Sequence, residues 1–207
     1  MAIIKSAILW PDGKIYFFDG SGQYYEYDIQ SETFNPKAKS VQTDWPGLGG
    51  LLFSGAIVWP KPPNQKAYFF ERDRFYTYKI GSGVDGYSKP TNLNFRGILS
   101  GPYSDYRIDA GVLWPNGFVY FFQHDRYYKY DINQNKVVSG YPLFIQDYWP
   151  GLWTTGQDIT AGFVWPKLVN GRQKAYFFTT TSYFQYDILD DKVDDNYPKQ
   201  AAGKWVP

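Results

Sequence analysis

The stretch Gly111-Val112-Leu113-Trp114-Pro115-Asn116-Gly117-Phe118-Val119-Tyr120-Phe121-Phe122 decides the fold, because the chain carries it four times. The other copies are Ala7-Ile8-Leu9-Trp10-Pro11 to Tyr16-Phe17-Phe18, Ala56-Ile57-Val58-Trp59-Pro60 to Tyr68-Phe69-Phe70, and Gly162-Phe163-Val164-Trp165-Pro166 to Tyr176-Phe177-Phe178. A short polar turn follows each triplet, then a second aromatic run: Tyr24 to Ile29, Phe75 to Ile80, Tyr127 to Ile132 and Tyr183 to Ile188. The four Trp-Pro tryptophans are 49, 55 and 51 residues apart, so repeats of about 50 residues fill the chain and leave no linker.

Each repeat reads as strands. Val, Ile, Tyr and Phe dominate it, and turn residues punctuate it at short intervals. Asp12-Gly13 and Asn116-Gly117 predict tight hairpins, because those residues tolerate positive φ. Repeats two and four are expected to carry longer loops there, over Lys61 to Lys66 and Lys167 to Lys174. The remaining 20 or so residues of each repeat have room for a fourth strand and a short helix. Four-stranded units repeated radially make an all-β, four-bladed β-propeller around a central channel. The expected blades are 3–50, 51–104, 105–156 and 157–207, in one domain. Asp44-Trp45-Pro46-Gly47-Leu48 and Tyr148-Trp149-Pro150-Gly151-Leu152 pair repeat one with repeat three, which suggests a duplicated two-blade unit.

Composition narrows the chemistry. There is no cysteine, hence no disulfide, thiolate site or cysteine nucleophile, and the one histidine cannot build a multi-histidine metal site. A formal charge of +1 gives no general attraction to nucleic acid or anionic lipid. No apolar run approaches the ~18 residues a membrane helix needs. The N-terminal apolar segment overlaps the first repeat, so it is not read as a signal peptide. A cytoplasmic or non-classically released soluble protein is expected, and a homodimer is compatible with the sequence.

Together these residues resemble the hemopexin-like repeats. The resemblance rests on Tyr68-Phe69-Phe70-Glu71-Arg72-Asp73-Arg74-Phe75-Tyr76 and its three counterparts. It rests also on Gly140-Tyr141-Pro142-Leu143-Phe144-Ile145 leading to Trp149-Pro150-Gly151-Leu152, and on Ile108-Asp109-Ala110. A four-repeat chain without cysteine looks like the stand-alone hemopexin-like proteins of plants and bacteria rather than a domain of a matrix protease. Two features depart from the pattern. The cysteine clip between first and last blades is absent, and the opening Asp-Ala survives only in repeat three, its Asp slot holding Lys5, Ser54, Asp109 and Thr160.

The resemblance implies a cation in the channel, calcium or sodium. Backbone carbonyls of Lys5, Ser54, Asp109 and Thr160 are its implied ligands, and Ala7, Ala56, Gly111 and Gly162 line a second ion position. Hard cations suit such oxygen ligands, although small residues there also answer a simple need for packing at a crowded axis.

Trp10, Trp59, Trp114 and Trp165 have two readings. Each caps its blade against a neighbour, or the four form an aromatic ring on one face that stacks on sugars, haem or a cation. His124 is either an exposed turn residue or a ligand to haem or an ion. A histidine pair gripping haem is excluded by count, and a tyrosinate ligand stays open among 20 tyrosines. Gly81-Ser82-Gly83-Val84-Asp85-Gly86 matches a dinucleotide pattern only by letter, since a proline follows at Pro90 where a helix is required. The acidic run Asp190, Asp191, Asp194, Asp195 reads as a solvated connector or a surface site for calcium or a polyamine. No catalytic constellation is evident. The expectation is a non-enzymatic binding protein for a haem-like or polyamine-like small molecule. The alternative is a carbohydrate- or protein-binding, lectin-like module, and a storage role is a third reading.

Overall fold

The computed structural model describes residues 2–60, 66–102, 105–153 and 156–207. They form four antiparallel sheets, one per repeat, and the four-bladed all-β propeller is what they build. The inner strands are Ser6–Leu9, Gly55–Trp59, Ala110–Leu113 and Ala161–Val169. The middle strands are Lys14–Phe18, Lys66–Glu71, Phe118–Gln123 and Arg172–Phe178. The third strands are Gln23–Asp28, Arg74–Lys79, Arg126–Asp131 and Ser182–Asp187.

The register is the same in every blade. Ala7, Ala56, Gly111 and Gly162 each sit opposite the central Phe of the triplet, at Phe17, Phe69, Phe121 and Phe177. Space explains the small residues. A Cβ on Gly162 would lie 2.7 Å from Val112 of the neighbouring inner strand and 2.9 Å from the Phe177 ring. Each inner strand packs against the inner strands of both adjacent blades, which closes the ring.

The outer edge differs from a plain fourth strand. It is broken into two two-residue strands, both paired with the third strand, as with Thr33–Phe34 and Lys39–Ser40 in blade one. Single-turn helices follow in three blades, at Val41–Asp44, Thr91–Asn94 and Ile145–Tyr148. Gly83–Val84 belongs to such an outer strand, and a second strand at Lys89–Pro90 separates the dinucleotide-like spelling from the single-turn helix Thr91–Asn94.

The hairpins refine the expectation. At Gly13 and Gly117 the turn is a three-residue loop, with the Gly N–H donating to the Trp10 and Trp114 carbonyls at 3.2 and 2.9 Å and only the glycine at positive φ. The loop expected over Lys167 to Lys174 is corrected: the inner strand of blade four runs on to Val169 and pairs with Arg172. Asn170 and Gly171 make its tip with two consecutive positive φ values, 52° and 77°, the pattern of a type I′ turn. Of the loop expected over Lys61 to Lys66, residues 61–65 lie outside the described residues, and Lys66 already belongs to the middle strand. The blade boundary expected at 104 also lies outside them.

Four aromatic cores fill the four blade junctions. Each has a hub from the connector at the end of a repeat. Trp45, Phe95, Trp149 and Trp205 are all at most 5% exposed. Trp149 alone meets the rings of Trp114, Tyr120, Phe122, Tyr127, Phe177 and Tyr186 at 5.2 to 5.6 Å for all six. Edge-to-face pairs of this kind add about 0.5–1.5 kcal/mol each beyond area burial. Between first and last blades, the Ile4 N–H donates to the Thr180 carbonyl at 2.8 Å, and Ile4 packs in one core with Trp205 and Val206. Strand-end bonding and this core thus replace the missing cysteine clip.

Candidate functional site

The channel between the inner strands has two chemically different ends. Lys5, Ser54, Asp109 and Thr160 all line a cavity of about 620 Å³ at the end where the inner strands begin. They arrive there by the same bond in each blade. Their N–H groups donate to the carbonyls of Phe18, Phe70, Phe122 and Phe178 at 2.9, 2.8, 2.9 and 2.8 Å. The Ser54 hydroxyl donates to the Ile108 carbonyl at 2.6 Å, tying blade two to blade three. The oxygen-bearing lining of this mouth, with Ser54, Asp109 and Thr160 together, is of the kind that suits a hard cation. Lys5 is the one cationic slot residue, and its side-chain stem rests against Gly20.

On the side of blades three and four, this mouth holds a charged cluster that single-residue reading of the slot did not reveal. The Arg107 Nε donates to Asp109 Oδ1 at 2.6 Å, and its Nη2 donates to Asp158 Oδ2. The same Nη2 lies 3.4 Å from His124 Nδ1, and His124 Nε2 lies 2.8 Å from Asp105 Oδ2. The His124 N–H donates to Asp109 Oδ2 at 2.7 Å. Asp109 is 4% exposed. Burial pushes its carboxyl up to about 6, opposed by the His124 amide and the Arg107 charge. Burial also works against the Arg107 charge, but Asp109 and Asp158 more than offset it and hold the guanidinium above its ordinary value. The sequence signal was positional. Arg107 and Asp158 stand two residues before Asp109 and Thr160, where repeats one and two have Ile3 and Leu52.

The opposite end is apolar. A cavity of about 800 Å³ is walled by Leu9, Val58, Leu113 and Val164, with Trp10 and Trp114 at the rim. Ala7, Ala56, Gly111 and Gly162 line the channel wall that leads to it. The aromatic ring of four exposed tryptophans is corrected. Trp59 and Trp165 are buried, at 9% and 3%, and Trp10 and Trp114 are half-buried. All four stand edge-on to the junction hubs: Trp10 to Trp45 at 5.0 Å, Trp59 to Phe95 at 5.5 Å, Trp114 to Trp149 at 5.2 Å and Trp165 to Trp205 at 5.7 Å. Trp59 and Trp165 thus bury their apolar surface in the junction cores, while Trp10 and Trp114 touch their hubs and also reach the cavity rim.

The reading of His124 as an exposed turn residue, or as a ligand to haem at the apolar end, is corrected. His124 is neither an exposed turn residue nor near the apolar cavity, but part of the carboxylate cluster at the polar end. Its backbone φ of 51° turns it back over Asp109. Burial raises the phenols of Tyr16, Tyr120, Tyr127, Tyr176 and Tyr186 above their ordinary value, which makes these core tyrosines poor tyrosinate donors. Hydrogen-bond donors organise three members of the acidic run: Arg172 donates to Asp190, Lys174 to Asp194 and the Tyr186 hydroxyl to Asp191.

The Hemopexin family profile matches residues 4–50 and 108–154, the first and third blades. Interstitial collagenase of Equus caballus is 30% identical over 165 residues, covering 72% of this chain and 31% of that protein. Matrix metalloproteinase-18 of Xenopus laevis is 25% identical over 192 residues, covering 92% of this chain and 37% of that protein. The solved structure of a hemopexin fold protein from cow pea covers 99% of this chain and 96% of its own, with TM-score 0.77 and 17% identity. A plant lectin with two metal binding sites from Cicer arietinum covers 98% and 95%, with TM-score 0.75 and 18% identity.

The chain belongs to the hemopexin-like repeat family. It spans about a third of the length of these two curated relatives. The profile's choice of blades one and three matches the two-fold relation between hemopexin-like repeats already visible in Trp45-Pro46-Gly47-Leu48 and Trp149-Pro150-Gly151-Leu152. Among the described residues, no helix of this hemopexin-like propeller is long and apolar enough to cross a membrane.

Proposed function

We propose that this hemopexin-like propeller is a non-enzymatic binding module that takes a small ligand with a flat apolar body, haem-like in shape, at the apolar end of its channel. A hard cation, calcium or sodium, sits on the axis towards the polar end. The apolar cavity of about 800 Å³ carries this reading, because its size lies within the range of small-molecule sites and its wall is aliphatic. A polyamine fits this end poorly, since the carboxylates stand at the other end. His124 is at that other end too, so the reading does not use it as an axial ligand.

Titration with hemin, followed at the Soret band, tests the ligand. Saturation at one hemin per chain supports it, and non-saturating partition refutes it. Calcium titration followed by melting tests the cation. A rise in Tm that a chelator reverses is expected, and an unchanged Tm removes the axial ion. Glycan recognition is the second reading. The Cicer arietinum neighbour is described as a lectin, and the exposed aromatics Tyr87, Tyr106 and Tyr148 offer stacking faces that the buried tryptophans do not.

A further inference from the structure

We propose that Asp109, His124 and Asp158 form a binding site for a divalent transition metal, separate from the hard-cation position on the axis. One ligand atom from each residue lies within 4.8 Å of the others. The three come from different levels of the repeat: the slot of blade three, the turn after its middle strand, and the position two before the slot of blade four. They converge on the Arg107 guanidinium, which touches all three. The place is therefore already shaped for a cation.

The imidazole is held between charged groups on both of its nitrogens. Its Nδ1 lies 3.4 Å from both the Arg107 Nη2 and an Asp158 oxygen, and its Nε2 lies 2.8 Å from Asp105 Oδ2. A histidine with one nitrogen towards a cation and the other held by a carboxylate is the arrangement that orients metal-bound imidazole. Asp109 is fixed by the His124 amide, at 2.7 Å. One imidazole nitrogen with two carboxylates suits zinc, cobalt or nickel, whereas calcium takes oxygen ligands. Arg107 is the gate. Its side chain is 36% exposed, so it can leave towards solvent when a metal enters.

The test is a cobalt(II) titration of the tag-free protein in excess calcium, read by visible absorbance and calorimetry. Wild type is expected to take one cobalt per chain with ligand-field bands. His124→Ala should weaken binding by about 10-fold or more, the usual scale for losing a ligand or its support. Arg107→Ala should tighten it, because the competing cation is gone. Asp158→Asn, a near-isosteric change, gives the same loss if His124→Ala proves misfolded by near-UV circular dichroism. The proposal is overturned if His124→Ala and Asp158→Asn both bind cobalt like wild type. Weaker binding in Arg107→Ala, or no uptake by either wild type or Arg107→Ala, overturns it equally. None of these outcomes depends on hemin uptake.

Discussion

The Val84 N–H donates to the Pro46 carbonyl at 3.0 Å, joining the connector of blade one to the outer strand of blade two. The same bond recurs from Val137 to Arg96 at 2.8 Å and from Val193 to Pro150 at 2.9 Å. Each latch is followed by a glycine with φ near +85°: Gly47 at 87°, Gly97 at 84° and Gly151 at 84°. A Cβ on Gly47 would stand 2.7 Å from the Val84 Cβ. Both the backbone and the space therefore demand glycine.

Gly47→Ala should lower unfolding stability by about 1–3 kcal/mol, from overpacking and from a φ that alanine resists. Val84→Gly in the same chain removes the Cβ that clashes and should recover the packing part, leaving the backbone part. Urea unfolding of the two single variants and the double variant measures this coupling. Strict additivity would show that the latch contact is not what Gly47 protects.

The junction hubs should be the most costly single deletions. Trp149→Ala removes a nearly buried indole from the centre of six rings and should cost about 3–5 kcal/mol. Phe95→Ala, in the equivalent place of blade two, should cost a similar amount. Trp153 is only half-buried, and Trp153→Ala should cost clearly less. Denaturant midpoints compare the three.

Acid should release the two ion pairs that Asp187 makes in blade four. Asp187 is 1% exposed and accepts from Arg172 at 2.8 Å, Lys174 at 2.8 Å and two backbone N–H groups. Burial alone would raise its carboxyl, but these donors hold it well below the usual carboxylate value of 3.8. The folded state therefore favours the charged form, and its contribution is complete above that value and lost as pH falls below it. Asp187→Asn should cost about 2–3 kcal/mol at neutral pH. The gap to wild type should narrow as pH drops through 4 towards 2. A gap that stays constant across this range would contradict the assignment.

Much of this was legible from spacing. The Trp-Pro and Tyr-Phe-Phe repeats predict the blades, and the resemblance to hemopexin-like repeats singles out Lys5, Ser54, Asp109 and Thr160 as one slot. What spacing could not supply was side-chain direction. Trp10, Trp59, Trp114 and Trp165 share a position, but whether an indole faces solvent or a junction depends on what the neighbouring blade offers, here Trp45, Phe95, Trp149 and Trp205. Phe95 escaped notice as a hub because Phe95-Arg96-Gly97-Ile98 keeps the glycine of Trp45-Pro46-Gly47-Leu48 but not its letters. The Arg107, His124 and Asp158 cluster is assembled across up to 51 residues, between two blades, and no local motif marks it.

Hemin affinity in two variants tests most directly whether ligand is taken at the apolar end of the channel. Leu113→Lys puts a charge into that cavity, while His124→Ala alters only the polar end. The account predicts that Leu113→Lys abolishes saturable one-to-one hemin uptake and that His124→Ala leaves it unchanged. Loss of uptake in His124→Ala, with Leu113→Lys binding like wild type, would contradict it.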